Sequence, residues 1–265
     1  MTQVAPWEPE EFEKEWTKIS EEVVNQLLAN PDIEAIKQRS SECMQTAATQ
    51  MISYFDGSIN VDTVVKDVPV YIENGEKIGT SPGHLASYFV QIGYKTTAYI
   101  FDVELFDRSW EGFSSQQIIT ELHKRQKSIS QNAWLSKYHH VLVDGWELFM
   151  QSGGKFKLPV LSPELLYVAL RSGPFLVILS STYLNQQAKQ RYDVASDSFV
   201  EDPIKGRSLT HGVTCSGYKD GKFLIIDPDP PVGVDHHRWI DQHHLVASIM
   251  VAQTESDNLI ITIEK

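Results

Sequence analysis

The chain has 265 residues, of which 42% are hydrophobic and 22% are charged, a composition typical of a globular protein with a sizeable core. Its net charge of -12 and the lack of a Lys/Arg-rich run argue against a nucleic-acid binder and against docking on anionic membranes. No segment has the roughly 18 apolar residues of a membrane-spanning helix, and residues 1–10 lack the apolar stretch of a secretory signal. We therefore expect a cytoplasmic protein without nucleic-acid or membrane partners.

The first hundred residues show mainly the spacing of helices. Apolar residues recur three and four positions apart over 9–29, and Asn30-Pro31 ends that pattern. Ser81-Pro82 supplies a capping hydroxyl and a proline at the first helical position. In chain order, the patterns predict helices over 9–29, 41–55 and 82–93 and a strand over 94–101. We assign 1–34 to an N-terminal helical extension and 35–265 to one domain.

The rest of the chain predicts short helices followed by strands. Residues 102–157 form an insertion, and the polar segment 183–208 predicts a loop or lid. Two apolar runs separated by Asp220-Gly221 are a strong hairpin signal. The predicted elements are helices over 115–127, 162–173 and 239–251 and strands over 175–179, 212–218, 222–227 and 258–264. Helices before antiparallel strands predict the α+β fold class.

Cys43 stands at or beside the predicted start of the helix over 41–55. Free backbone N–H groups and the helix dipole stabilise a thiolate there, and such sites lower a cysteine pKa from about 8.5 to roughly 3.5–7.5. Because the thiolate is the nucleophile, this location suits covalent catalysis. The alternative is a buried structural thiol, the common state of a free cysteine, and Cys215 in an apolar strand fits that state.

His211 and Asp227 flank the predicted hairpin. His211 precedes its first strand and Asp227 ends its second, so an antiparallel pairing brings the two side chains to the same level. A carboxylate in hydrogen-bond contact would fix the imidazole tautomer, as in a catalytic triad. Alternatively, His211 is a loop histidine and Asp227, before Pro228, starts a turn.

Three segments together carry a recognisable pattern. They are 37–43 with the apolar helix after it, 79–94, and 209–229, where a His opens a strand with a Gly-aromatic pair and an Asp-Pro dipeptide follows the hairpin. They resemble papain-like cysteine peptidases related to the bacteriocin-leader (double-glycine) processing family, in particular its stand-alone bacterial relatives. The resemblance implies a papain-like fold whose nucleophile helix packs on an antiparallel sheet. It also implies cleavage of a peptide or amide bond through an acyl-enzyme thioester.

The resemblance also assigns roles to individual residues. Cys43 becomes the nucleophile, His211 the base and Asp227 the residue that orients the base, with Gln38 as the side-chain oxyanion donor. The spacing from Gln38 to Cys43 is one residue shorter than the family's. Met44 replaces the Gly that usually follows the Cys and implies a bulkier wall beside the nucleophile. Two further candidates for substrate contact are Ser181 and Gly212.

The histidine-rich segment 236–244 is a candidate metal site. His236-His237 and His243-His244 could ligate a divalent ion, but the two pairs fall on a loop and a helix start, so surface histidines are the preferred interpretation. We predict no metal and no cofactor. No Gly-rich phosphate loop occurs in the sequence, which argues against a nucleotide-dependent enzyme.

Three functions remain open from the sequence. The first is a cysteine peptidase, and the second is an amidase or acyltransferase acting on a small molecule or peptide tail with the same triad. The third is a non-catalytic binding module on the same fold. The expected partner is a peptide or small amide substrate.

Overall fold

A computed structural model describes residues 32–73, 76–129, 136–193, 195–196, 198–252 and 258–265. The predicted helix over 9–29, and with it most of the extension 1–34, lies outside these ranges. Helices and a largely antiparallel sheet make up the described part, so the predicted α+β class is confirmed. Within those ranges, no helix is both long enough and apolar enough to cross a lipid bilayer.

The described ranges contain eight α-helices and eleven strands. The helices are α1 (Cys43–Ser53), α2 (Val61–Asp67), α3 (Pro82–Gln91), α4 (Ser115–Ile129), α5 (Ser136–Gln151), α6 (Pro163–Leu170), α7 (Ser181–Leu184) and α8 (Gln242–Met250). The strands are β1 (Tyr71–Glu73), β2 (Glu76–Gly79), β3 (Lys95–Ile100), β4 (Lys155–Lys157), β5 (Phe175–Ser180), β6 (Gln190–Asp193), β7 (Ser198–Glu201), β8 (Thr210–Lys219), β9 (Lys222–Ile226), β10 (His237–Asp241) and β11 (Leu259–Glu264).

Seven of the strands form a central sheet in the order β10-β9-β8-β5-β11-β3-β4. All neighbouring pairs are antiparallel except β3 and β4. The hairpins β1–β2 and β6–β7 form two separate small sheets. The strand β5 lies in the middle of the large sheet and is buried along its whole length, which explains its continuous apolar sequence.

The central sheet separates two hydrophobic cores. Phe175, Val177 and Leu179 of β5 belong to the core that also contains α6 and α8. Leu176 and Ile178 point the other way, into the core with α1, α3, α4 and α5. This period of two is what an extended strand imposes on its side chains.

Two predicted elements differ from the structure. The segment 183–208, predicted as a loop, contains the paired strands β6 and β7. The helix predicted over 239–251 begins only at Gln242, because residues 237–241 pair with β9 as strand β10. Asp241 then caps α8, and its Oδ1 accepts from the backbone N–H groups of His243 and His244.

The insertion 102–157 is more ordered than its sequence indicated. Besides the predicted helix α4, it contributes α5 and the short strand β4, which pairs with β3. Trp146 and Phe149 of α5 are 1% and 0% exposed in the core shared with α1. The helix is therefore stabilised by packing of its aromatic face in the core, which cannot be inferred from its local sequence alone.

Helices α3 and α5 approach each other at a pair of glycines. A Cβ atom built on Gly83 would lie 2.4 Å from the carbonyl carbon of Gly145 and 2.4 Å from the backbone nitrogen of Trp146. We expect Gly83→Ala to lower the free energy of unfolding by about 1–3 kcal/mol, because the neighbouring backbone cannot move aside as a side chain would. Urea denaturation followed by tryptophan fluorescence measures it.

Gly57→Ala is the matched control for this prediction. Nothing lies within 4 Å of a Cβ atom at Gly57, so that variant should unfold at nearly the wild-type urea concentration. Equal stability of the two variants would show that the contact between the helices is not tight.

Candidate active site

Cys43 is the first residue of α1, and a set of buried polar contacts holds this helix in place. Gln45 Nε2 donates to the Val68 carbonyl and to Thr80 Oγ1, each at 2.8 Å. From β8, Thr214 Oγ1 donates to the Ala47 carbonyl at 2.8 Å. Because hydrogen bonds have a required direction, these contacts fix the rotation of α1 as well as its distance from β8. The thiol therefore has a defined position beside the strand.

His211 lies in β8, and Asp227 directly follows β9. The two strands are antiparallel neighbours, with Thr214 opposite Ile226. The imidazole Nε2–H of His211 donates to Asp227 Oδ1 at 2.7 Å. The imidazole is mostly buried and the carboxylate is 0% exposed, so water competes little for this hydrogen bond.

Cys43 completes a row of three side chains. The half-buried thiol lies within reach of His211 and of the backbone N–H groups of Gly212 and Met44, and all three lower its pKa. Because the Nε2–H of His211 donates to Asp227, Nδ1 is the ring nitrogen that can face the thiol. The structure thus brings together the three residues that the sequence selected.

Opposing effects set the pKa values of this row. Burial raises the pKa of Cys43, but the hydrogen bond and charge of His211 outweigh burial and lower it overall. Burial lowers the pKa of His211, but hydrogen bonds to Asp227 and Cys43 outweigh this and raise it above its ordinary value. Both shifts favour a thiolate–imidazolium pair, the reactive form of a catalytic cysteine.

The Asp227 carboxylate receives three donors. Besides His211, the backbone N–H of Asp229 donates to Oδ1 at 2.9 Å, and Arg238 Nη2 donates to Oδ2 at 2.5 Å. Burial alone would raise the pKa of Asp227, but the contacts with His211, Asp229 and Arg238 lower it to about 2. The carboxylate is therefore ionised throughout the physiological pH range.

The sequence patterns do not indicate a role for Arg238. Its strand β10 was predicted as loop and helix, and the contact depends on the pairing of Arg238 with Ile225 of β9. The available signal was a basic residue, followed by Trp and Ile, a short distance after the Asp-Pro dipeptide.

Gln38 lies beside the same loop. Its backbone N–H donates to the Pro228 carbonyl at 3.0 Å, and its Nε2 donates to Asp229 Oδ2 at 3.3 Å. The segment 227–229 therefore contacts His211 through Asp227. It contacts Gln38 through Pro228 and Asp229.

The three candidate substrate-contact residues occupy different surroundings. Met44 is 6% exposed and lies against Gly212, where an added Cβ atom would be 3.1 Å from Met44 Cγ and 3.2 Å from its Cα. Gly212 thus allows α1 to approach β8 closely. Ser181 begins α7, is partly exposed and donates through Oγ to the Leu209 carbonyl at 3.2 Å.

A cavity of about 450 Å³ lies near the start of β8. The strand pairing places Ser180, which lines the cavity, opposite Thr210, the neighbour of His211. The other lining residues are Thr182, Tyr183, Gln186, Gln187, Ser208, His244 and Val251. Most of its lining residues belong to the segment 180–187 and carry a hydroxyl or an amide group.

Three of the four histidines of the segment 236–244 face backbone carbonyls, and the fourth, His243, contacts the side chain of Gln242. His236 donates to Asp227, His237 to Ile33 and His244 to Leu184, through one ring nitrogen each. In the part of the chain that the structure describes, no group of three or more His, Cys, Asp or Glu side chains is arranged to hold a metal ion.

No protein-family model and no curated protein matches this sequence. Among solved structures, a C39-like peptidase from Bacillus anthracis matches 90% of this chain and 97% of its own, with a TM-score of 0.44 and 12% identity. The peptidase domain of Streptococcus ComA, a bi-functional ABC transporter involved in a quorum-sensing pathway, matches 88% of this chain and 98% of its own, with a TM-score of 0.38 and 12% identity. At such identity, a likeness concerns the fold and not the chemistry of the site.

Alkylation with iodoacetamide tests the electrostatics of the site. Because the lowered pKa of Cys43 populates the thiolate at lower pH, we expect its labelling midpoint to lie below the value of about 8.5 of an ordinary thiol. His211→Ala should raise the midpoint by about one pH unit or more, since it removes the partner of the thiolate. Mass spectrometry of labelled peptides between pH 4 and 9 gives both values.

Cys215 is the internal reference for this measurement. It is 0% exposed and burial raises its pKa, so it should be labelled only after unfolding. A Cys43 midpoint near 8.5 that does not respond to His211→Ala would contradict an activated thiol.

Proposed function

We propose that this protein is a cysteine peptidase that cleaves a peptide or amide bond through Cys43, His211 and Asp227. The observation that carries the proposal is the hydrogen-bonded row of thiol, imidazole and buried carboxylate at the start of α1. A structural cysteine gains nothing from a base that is itself oriented by a third group, whereas a nucleophile needs that arrangement.

The reaction follows from the positions of the protons. The Cys43 thiolate attacks the carbonyl carbon of the scissile bond, and the C–N bond breaks as the His211 imidazolium gives its Nδ1 proton to the leaving amine. Water then attacks the thioester while His211 accepts a proton, and the free acid and the thiol are regenerated. Throughout, Asp227 stays ionised and holds the imidazole by Nε2.

Two groups are suited to stabilise the oxyanion of the tetrahedral intermediate. The backbone N–H groups in the first turn of α1, that of Cys43 included, have no acceptor within the helix. Gln38 supplies a side-chain amide from the neighbouring loop, where it rests on Asp229. Such donors stabilise the oxyanion when their N–H groups are aimed at the position that it takes in the transition state.

The substrate is a peptide or another amide. The cavity next to the start of β8 offers hydroxyl and amide groups from 180–187 for hydrogen bonds to such a chain, and Ser181 lies in the same segment. An unpaired nucleophilic thiol also needs a reducing environment, which fits the expected cytoplasmic location.

A peptide library tests the proposed activity. We expect the wild-type protein to generate new N-termini in a proteome-derived peptide mixture, and Cys43→Ala to generate none above background, because the nucleophile is absent. Cys215→Ala is the matched control and should retain cleavage, since Cys215 is buried in the core away from the row. Cleavage that persists in Cys43→Ala would refute the proposal.

The same reaction distinguishes hydrolysis from acyl transfer. With glycinamide added, products that carry the amine would identify an acyltransferase, whereas free carboxylates alone would identify a peptidase.

Gln38 is tested by comparing two reagents. Acylation by p-nitrophenyl acetate passes through an oxyanion, while displacement of iodide from iodoacetamide does not. We expect Gln38→Ala to slow the burst of p-nitrophenol about 100-fold and to leave alkylation of Cys43 nearly unchanged. Gln116→Ala, an exposed glutamine on α4, should affect neither rate. Equal losses in both reactions would mean that Gln38 serves the thiolate or the fold instead.

A further inference from the structure

Arg238 forms an ion pair with Asp227 that is sheltered from water. Its Nη2 is 2.5 Å from Asp227 Oδ2, and the side chains are 14% and 0% exposed. Its Nη1 donates to Asn185 Oδ1 at 2.8 Å, at the end of the turn α7. Because solvent screens a buried pair weakly, the charge of the guanidinium helps to keep the carboxylate ionised and its pKa low.

Among the described residues, the titratable groups in contact with this pair or its partners belong to the candidate site or its loop. His211 binds the other oxygen of Asp227, and Cys43 hydrogen-bonds His211. From the loop, Asp229 donates its N–H to Asp227 and receives Gln38 on its carboxylate, and His236 donates to the Asp227 carbonyl at 2.5 Å.

In the reactive form, four charges alternate in sign along the row. The thiolate of Cys43 is followed by the imidazolium of His211, the carboxylate of Asp227 and the guanidinium of Arg238, and their sum is zero. Without the guanidinium the row carries a net charge of -1. A proton on the thiolate would then be favoured, because nearby negative charge stabilises the protonated form.

We propose that Arg238 is a positioning residue that acts through Asp227, holding the buried carboxylate ionised and aimed at His211 so that the thiolate–imidazolium pair forms near neutral pH. The inference rests on the proposed function, since it concerns the same row. A merely structural role is the alternative: Arg238 also joins β10 to the turn α7 through Asn185, which would stabilise the fold without affecting proton equilibria.

The labelling midpoint of Cys43 separates these two roles. We expect Arg238→Met to raise the midpoint by about one pH unit, because without the cation Asp227 is no longer held ionised and aimed at His211, which makes the thiolate–imidazolium pair less favourable. Arg238→Lys keeps the charge and should return the midpoint to near the wild-type value. Thermal unfolding of each variant is measured in parallel.

Two further variants provide the controls. Arg191→Met removes a half-exposed arginine that also contacts two carboxylates, Asp193 and Asp202, and should leave the midpoint unchanged. In an Asp227→Asn background, Arg238→Met should add little further shift, since the carboxylate through which it acts is gone. If Arg238→Met does not fold, Arg238→Gln replaces it as the uncharged counterpart of Arg238→Lys.

The outcomes separate the role of Arg238 from the proposed function of the protein. A wild-type midpoint below 8.5 that rises in Arg238→Met and recovers in Arg238→Lys supports the inference. A low wild-type midpoint that stays unchanged in Arg238→Met or Arg238→Gln, with only the unfolding temperature reduced, overturns the role of Arg238 and leaves the proposed function standing. If Arg238→Met raises the Cys43 midpoint by about one pH unit in the Asp227→Asn background as well, the inference is also overturned. A wild-type midpoint of an ordinary thiol overturns both.

Discussion

The buried carboxylate of Asp227 is the interaction on which the arrangement of this site depends. Removing an ion from water costs several kcal/mol unless charged and hydrogen-bonding partners replace the solvent. Here the partners come from different parts of the sheet: His211 from β8, the backbone of Asp229 from the loop after β9, and Arg238 from β10. Since each must lie within hydrogen-bond distance of one carboxylate, the ends of three adjacent strands are held in a single arrangement.

A second constraint locates the helix that carries the thiol. Hydrophobic contact alone is not directional, so a purely apolar helix could rotate or slide on the sheet at small cost. In α1, the buried residues Gln45, Thr49 and Gln50 are polar, and the donors Gln45 and Thr214 tie the helix to fixed partners. A helix position set by buried hydrogen bonds resists small displacements, which keeps the Cys43 thiol beside the His211 imidazole.

The parts of the site with local signals could be predicted from the sequence. The helix that carries Cys43 follows from its apolar spacing, although it begins at Cys43 and not at 41, and the hairpin that brings His211 to Asp227 follows from Asp220-Gly221 between apolar runs. Arg238 could not be found this way, because its contact depends on the register of β10 on β9, which arises only when the chain folds. The helix α5 was missed for a related reason: Gly145 lies within it, and burial against α3 compensates for its low helix propensity.

The hairpin β6–β7 has a consequence for how this protein can diversify. Its base is closed by two backbone hydrogen bonds, from Gln190 N to the Arg207 carbonyl at 3.1 Å and from Arg207 N to the Gln190 carbonyl at 2.8 Å. The chain therefore leaves and re-enters the body of the domain through neighbouring positions, whatever lies between them. Loop closure depends only weakly on length, so the segment 191–206 can be shortened, lengthened or exchanged with little effect on β5 and β8. The segment 191–206 can therefore acquire new recognition elements while His211 and Asp227 keep their positions.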